Sequence, residues 1–447
     1  MYKILYEDSA NFCKQKKVTQ VMFHRISHYL LPFISFLDTR LDIRLTRTFF
    51  DLFVSLLTFR HSSKSLLLSE LGKYITGAEH CSAGTKRLSN LLRNEDWGSK
   101  DIEKILLTQA ESYVGEYAAQ GKRLLCFCDE SMIEKHESWA TEGLCPVYSS
   151  RAARLTHIKP GYYNKPSKRI CVPGFEWTAM IIGGLGLVPC LGMMEWWTTK
   201  GTHKEYGDNI FYRMIKRAKA HFGDALTFVL DRGYANYRTI EQLTRHQQNF
   251  IIRWKSNLIL INEQGQELNT WRMCKGQKSM DSRVIYDKER KKNAHAEIIY
   301  TKVFHPEQPD KKLTLIVVRN KTYKHQPPMY MLTSVEVDSI GIAWELFYSY
   351  IKRWDIEQTF RFNKCELGIQ SCRLWKFENR LKMMALVTLV YDFLLLTWRN
   401  SKDTATAWIN KWCHRTGKKL KEIKMPLYRL RAAFANVIEL FLSQNSG

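Results

Sequence analysis

The chain has 447 residues, 68 Lys and Arg against 44 Asp and Glu, a formal net charge of +24, and 45% hydrophobic with 13% aromatic residues. That much apolar material excludes a disordered polycation, and the length calls for two or three domains. The basic excess selects a polyanionic partner, nucleic acid ahead of a membrane surface.

Residues 19–120 carry apolar side chains at three and four spacing, as in "RTFFDLFVSLLTF" and "DIEKILLTQAESYVGEYA", which predicts an all-helical first domain (residues 1–120). At "GKRLLCFCDES" the texture becomes a continuous apolar run closed by Asp129, the pattern of a buried strand with a carboxylate at its C-terminal end. "FEWTAMIIGG" and "LVPCLGMMEWWTT" read as two further strands, "DNIFYRMIKRAKAHFG" as a helix, "ALTFVLDRGY" as a strand ending in Asp231, and "FIIRWKS" as a fifth strand. A mixed α/β domain over residues 121–257 and 336–400 follows, interrupted at 258–335 by a β-rich insertion whose apolar residues alternate on a period near two. Helix is expected from residue 339 to 364, then a buried helix through Trp398, then a helical basic C-terminal region at 401–447.

Two apolar runs, residues 179–194 and 383–398, are too short or too interrupted to span a membrane. The 11 cysteines are scattered; Cys126 and Cys128, two apart on a strand, do not make a zinc spacing. The first 20 residues lack the apolar core of a signal peptide, so a cytoplasmic protein with reduced thiols is expected.

Asp129 and Asp231 each end a buried strand, where a carboxylate is costly without a metal or counter-charge. Glu357 projects from the helix expected to pack on that sheet. Three oxygen ligands without a His or Cys set suit Mg²⁺, with Mn²⁺ as a substitute, and the chemistry of such sites is phosphodiester cleavage or exchange. Taken singly, each acid reads equally as a turn, helix-cap or solvated residue. On one continuous helix Tyr350, Arg353, Glu357 and Lys364 fall within about 60° of circumference, which lines one stripe with phosphate donors beside a carboxylate. The alternative for that stripe is a salt-bridged surface.

The spacing of Tyr350, Arg353, Glu357 and Lys364 resembles the YREK signature of bacterial DDE transposases of the insertion-sequence-four type, and "CFCDES", "LDRGY" and the β insertion fall in the same order. The resemblance implies a ribonuclease-H-like catalytic domain with Asp129, Asp231 and Glu357 as catalytic and metal-binding residues. It also implies that Tyr350, Arg353 and Lys364 hold DNA phosphates and that a homodimer acts on paired transposon ends and target DNA in the bacterial nucleoid. Some relatives place a base-stacking tryptophan before the "LTS" turn, whereas this chain has Met329-Tyr330-Met331; Tyr330, Trp254 or Trp271 could stack instead, or all three could be core. In the first domain "SAGTKRLSNLLRN" is a candidate major-groove helix with Lys86, Arg87 and Arg93 as contacts, or an ordinary basic surface. Lys418, Lys419, Lys421 and Lys424 could hold backbone, and the last helix could pair with a second subunit. The expected function is cut-and-paste transposition; the alternatives are a nuclease or resolvase of the same fold and a catalytically inactive DNA-binding protein.

Overall fold

The computed structural model describes residues 14–59, 65–135, 138, 140–149, 171–287, 291–323, 325–413 and 423–444. Five helices lead: α1 (Lys14–Asp38), α2 (Ile43–Thr58), α3 (Leu68–Thr76), α4 (Cys81–Arg93) and α5 (Ser99–Ala119). Asp42 starts α2 by accepting from the amides of Arg44 (2.7 Å) and Leu45 (3.1 Å), two donors that the helix itself cannot satisfy. Phe49, Leu52, Phe53, Leu56 and Leu57 then bury one face. α3 and α4 are joined by a short turn opened by Gly77 at φ +82° and cross at Gly72 and Gly84. A Cβ on Gly84 would lie 2.3 Å from the Gly72 carbonyl oxygen, so glycine is what lets the two backbones touch. The pair is a helix-turn-helix in its element order.

The strands are β1 (Leu124–Glu134), β2 (Cys145–Tyr148), β3 (Cys171–Gly183), β4 (Cys190–Trp197), β5 (Leu226–Leu230) and β6 (Asn249–Trp254), with α6 (Gly207–Phe222) before β5 and α7 (Tyr237–Arg245) after it. β7 (Ile259–Ile261), β8 (Glu267–Asn269), the short α8 (Thr270–Met273), β9 (Asp281–Asp287), β10 (Lys292–His305), β11 (Gln308–Asn320) and β12 (Met329–Thr333) follow. β1 is parallel to β5 and β5 to β6, β3 is antiparallel to β1, and β4 is antiparallel to β3. All belong to one 12-stranded mixed sheet in the order β2-β3-β1-β5-β6-β12-β11-β10-β7-β8, with β4 on β3 and β9 on β10. Residues 258–335 are β-rich as their alternation predicts, and β12 pairing with β6 makes them a continuation of the central sheet.

One sheet face is covered by α5, α6 and α7; the other by α9 (Ile340–Lys352), α10 (Trp354–Arg361), α11 (Phe377–Asn400) and the N-terminal helices. The expected single helix over 339–364 is corrected here. It breaks at Arg353, whose amide bonds back only three residues to Tyr350 O (3.0 Å), and it widens to a π-helical turn over Phe362–Glu366. Tyr350, Arg353 and Glu357 flank the joint, while Lys364 sits on the wide turn, where 100° per residue no longer applies.

Of the described helices, α11 alone is long and apolar enough to cross a membrane, but 89% of its apolar window is buried in the protein. Its Asp392 accepts from the Tyr29 hydroxyl (2.9 Å), tying α1 to α11. After α12 (Lys402–Trp412), the last helix α13 (Leu427–Gln444) buries Leu430, Phe434, Val437 and Ile438 within its own chain. Arg431 on it donates to the carbonyls of Leu56, Leu57, Phe59 and Glu366, closing the C-terminal end of α2. That face is spent on intramolecular packing. Lys418, Lys419 and Lys421 lie outside the described residues; Lys424 is exposed.

Candidate active site

β1 and β5 are parallel neighbours with Phe127 level with Val229, so Asp129 and Asp231, two residues on, stand side by side where β5 stops and β1 runs on to Glu134 beside β3. Glu357 reaches them from α10. The convergence is organised by cations and a hydroxyl. Arg353 donates from Nη1 to Asp129 Oδ2 (2.9 Å) and from Nη2 to Glu357 Oε1 (2.5 Å), a fork between two of the three acids. Tyr350, buried, donates its hydroxyl to Asp231 Oδ1 (3.2 Å). Lys364 reaches over β1 to Ser131 Oγ (2.7 Å).

Burial pushes the Asp129 carboxyl up to about 6; Arg353 works against that shift, and Asp231 and Glu357 add to it. Burial alone would weaken the Arg353 guanidinium's hold on its proton, but Tyr350, Asp129, Asp231 and Glu357 together reverse this and leave it above its usual range. Burial, then the charge of Asp231, raises the Tyr350 phenol. Among the described residues, no three His, Cys, Asp or Glu side chains stand close enough to hold a metal ion as they are arranged. The Arg353 fork occupies the space between Asp129 and Glu357. The chemistry of the donor set nonetheless fits a hard divalent cation, and the buried Tyr234 hydroxyl, with no hydrogen-bond partner among the described residues, adds an orphaned polar atom that senses Asp129 and Asp231. The fit requires Arg353 to release the two acids.

The structure also brings in residues that the sequence reading missed. Glu176 stands on β3 opposite Met132, and burial, then Glu130, raises its carboxyl to about 7, with Lys364 opposing. A carboxylate inside the apolar run "VPGFEWTAM" was the available signal. Arg253 on β6 hydrogen-bonds the Tyr350 side chain; nothing in its spacing marked it. A native carboxyl near 7 against about 4.5 unfolded means that Glu176 contributes stability below the unfolded value, lost as pH rises through the folded one. Glu176→Gln should thus stabilise the protein by about 1–3 kcal/mol at pH 8 and by nothing at pH 4. Urea melts at the two pH values check it, and an equal effect at both would contradict the assignment.

Of the candidate stacking residues, Trp254 is corrected: it is 2% exposed, with its ring edge-on to His305, so it has no free face for a base. Tyr330 is half-buried, and Trp271 is 40% exposed between Arg272 and Lys275. On α4, Lys86 and Arg93 are exposed with Ser82 and Asn90 on one stripe, whereas Arg87 is turned inward to Asp51 (2.8 Å) and Thr48.

Residues 201–393 match the family model described as Transposase DDE domain. The matched segment contains Asp231, Glu357 and the whole β7–β12 region, and begins after Asp129. It supports a DDE transposase, an enzyme of the polynucleotidyl-transferase kind with DNA as its partner. No curated protein matches the chain.

Proposed function

We propose that the chain is a cut-and-paste DNA transposase of the insertion-sequence-four type. The observation that carries this reading is the arrival of Asp129, Asp231 and Glu357 from three separate elements where β5 stops, with Arg353 and Tyr350 bonded among them. Mixed strands in the order β4-β3-β1-β5-β6, with β3 antiparallel to both neighbours, Asp129 on β1 and Asp231 just after β5, support a ribonuclease-H-like catalytic domain. Asp129, Asp231 and Glu357 would hold Mg²⁺ or Mn²⁺, which when bound lowers the pKa of the attacking water or hydroxyl and stabilises the leaving oxygen.

The remaining steps belong to the chain's own residues. Arg353 turns from the carboxylates to the DNA backbone, Lys364 holds a second phosphate from the wide turn after α10, and Tyr350 keeps Asp231 oriented. Ends are recognised by α4, with Lys86, Asn90 and Arg93 toward the groove and Arg87 holding α4 on α2. Two chains act on two ends, in the cytoplasm, because one three-carboxylate site processes one end at a time.

The test is strand transfer with a pre-cut duplex ending in a free 3′-hydroxyl and a supercoiled target: joining supports a transposase, and cutting without joining moves the protein to the nuclease alternative. For α4, Lys86→Ala with Arg93→Ala should weaken end binding at least tenfold and lower the salt slope by about 1.8. Arg87→Ala should instead lower the melting temperature. Equal binding by the Lys86/Arg93 variant, measured by gel shift across salt, would remove α4 from the interface.

A further inference from the structure

β1 carries two thiols that play no part in the site described above. Cys126 and Cys128 are unbridged and 0% exposed, and they face the helices α5, α6 and α7, on the opposite side of the sheet from Arg353. Their sulfurs stand 3.6 Å apart. The turn Arg232–Tyr234, which begins directly after Asp231, covers this spot, with Arg232 and Gly233 exposed. The Tyr234 ring packs on Phe211 (centroids 4.6 Å apart). Its buried hydroxyl lies within the electrostatic reach of Glu130, Asp129, Cys128 and Asp231 and has no hydrogen-bond partner among the described residues.

The sulfur spacing selects among the ways of closing a thiol pair. Two residues apart on an extended strand, the Cα atoms lie about 6.8 Å apart, the outer limit of a disulfide's reach, so direct oxidation has to bend β1. A tetrahedral zinc ion needs four ligands, and among the described residues no third His, Cys, Asp or Glu joins the pair to hold one. A single inserted atom about 2.3 Å from each sulfur, the length of a metal–thiolate bond, sees the 3.6 Å spacing at about 103°. That is a pyramidal bite, which trivalent arsenic takes with two thiolates and one hydroxide.

We propose that Cys126 and Cys128 are a dithiol site for trivalent arsenic, filled from arsenous acid when the Arg232–Tyr234 turn lifts. Two of the acid's three As–O bonds are replaced by As–S bonds, the thiol protons leave with the departing hydroxides as water, and arsenic stays trivalent. The site touches the catalytic acids through the chain on both sides: Asp129 follows Cys128, and Asp231 opens the turn that lifts. An arsenic atom beneath Tyr234 therefore shifts Asp231 relative to Asp129. Capture stands whatever the chain acts on; the loss of cleavage that follows from it rests on the transposase reading above.

The experiment treats the full chain, reduced and desalted, with arsenite, removes the excess, and then denatures it in N-ethylmaleimide for peptide mapping. Trypsin releases residues 124–135, whose only cysteines are Cys126 and Cys128. Untreated protein should give this peptide doubly alkylated; arsenite-treated protein should give it unalkylated, and dithiothreitol added before denaturation should reverse this. The bridged protein should cleave DNA about 10²-fold more slowly, the scale of a displacement of about 1 Å at reacting groups. Cys126→Ala should cleave equally with and without arsenite. A peptide doubly alkylated in both samples would overturn the site, and one blocked before any arsenite was added would be a disulfide and overturn it too. Bridged protein cleaving at the untreated rate would overturn the link to the acids. Untreated protein that cuts no DNA would instead fault the transposase reading, with the mapping still deciding capture.

Discussion

Asp129→Ala, Asp231→Ala and Glu357→Ala should each lower strand cleavage by at least about 10³-fold while leaving binding to duplex ends within about twofold of wild type. The size follows from what the acids do: a site that stabilises charge on attacking and leaving oxygens contributes several kcal/mol, and each 1.36 kcal/mol is tenfold in rate. The selectivity follows from the fold. The three acids stand on β1, just after β5 and on α10, whereas the helix-turn-helix of α3 and α4 packs on α2. Conservative Asp→Asn and Glu→Gln changes should behave like alanine, since they keep the volume and remove only the charge. Cleavage by any one of the three at the wild-type rate would dismiss that residue from the site, and a matching loss of binding would show a folding defect instead.

How much of this was legible depends on the range of the interaction. Asp129 and Asp231 could be found because each stops a run of buried apolar residues; Asp231 does follow the end of β5, whereas β1 runs on past Asp129 to Glu134 beside β3, so the expected strand end there is corrected. Glu357 was found by spacing, and the structure keeps it beside Arg353 although the helix carrying both is broken. That break was not legible. Nothing in "YSYIKRWDIEQTFRF" marks the three-residue bond at Arg353, whose side chain meets Asp129 far away on β1. Trp254 shows the same limit from the other side. Its place on a strand was clear, but whether the ring met solvent depended on His305, fifty-one residues later in the chain. Arg87 and Lys86 differ by one residue and have opposite fates, since only Arg87 faces Asp51 across the packed helices. Sequence periodicity assigns a face; the partner on that face comes from tertiary contact.

Arg353→Ala should do three things at once, and their combination separates a placeholder cation from a simple phosphate contact. In the DNA-free chain its fork holds Asp129 and Glu357 at 2.9 and 2.5 Å, with Asp231 near enough to raise the Asp129 carboxyl further. Removing it leaves mutually repelling, partly buried acids. The variant should therefore be less stable by about 3 kcal/mol at pH 8, the typical cost of stranding one side of a buried ion pair. The same vacancy frees the carboxylates, so Mn²⁺ should bind the DNA-free variant at least tenfold more tightly than wild type, read by electron paramagnetic resonance, and millimolar Mg²⁺ should restore much of the lost stability. Cleavage should nonetheless fall about 10²-fold, and the salt slope for end binding should drop by about 0.9, since the guanidinium is missing where DNA needs it. Arg353→Lys should recover the stability but not the cleavage, because a point charge can neutralise the acids without forking between two oxygens. If Arg353→Ala binds Mn²⁺ no more tightly and melts like wild type, the fork seen here has no bearing on metal access. Arg353 would then act on DNA alone. If the predicted pattern holds, DNA that draws Arg353 onto a phosphate also opens the carboxylates, and cutting becomes conditional on a correctly seated end.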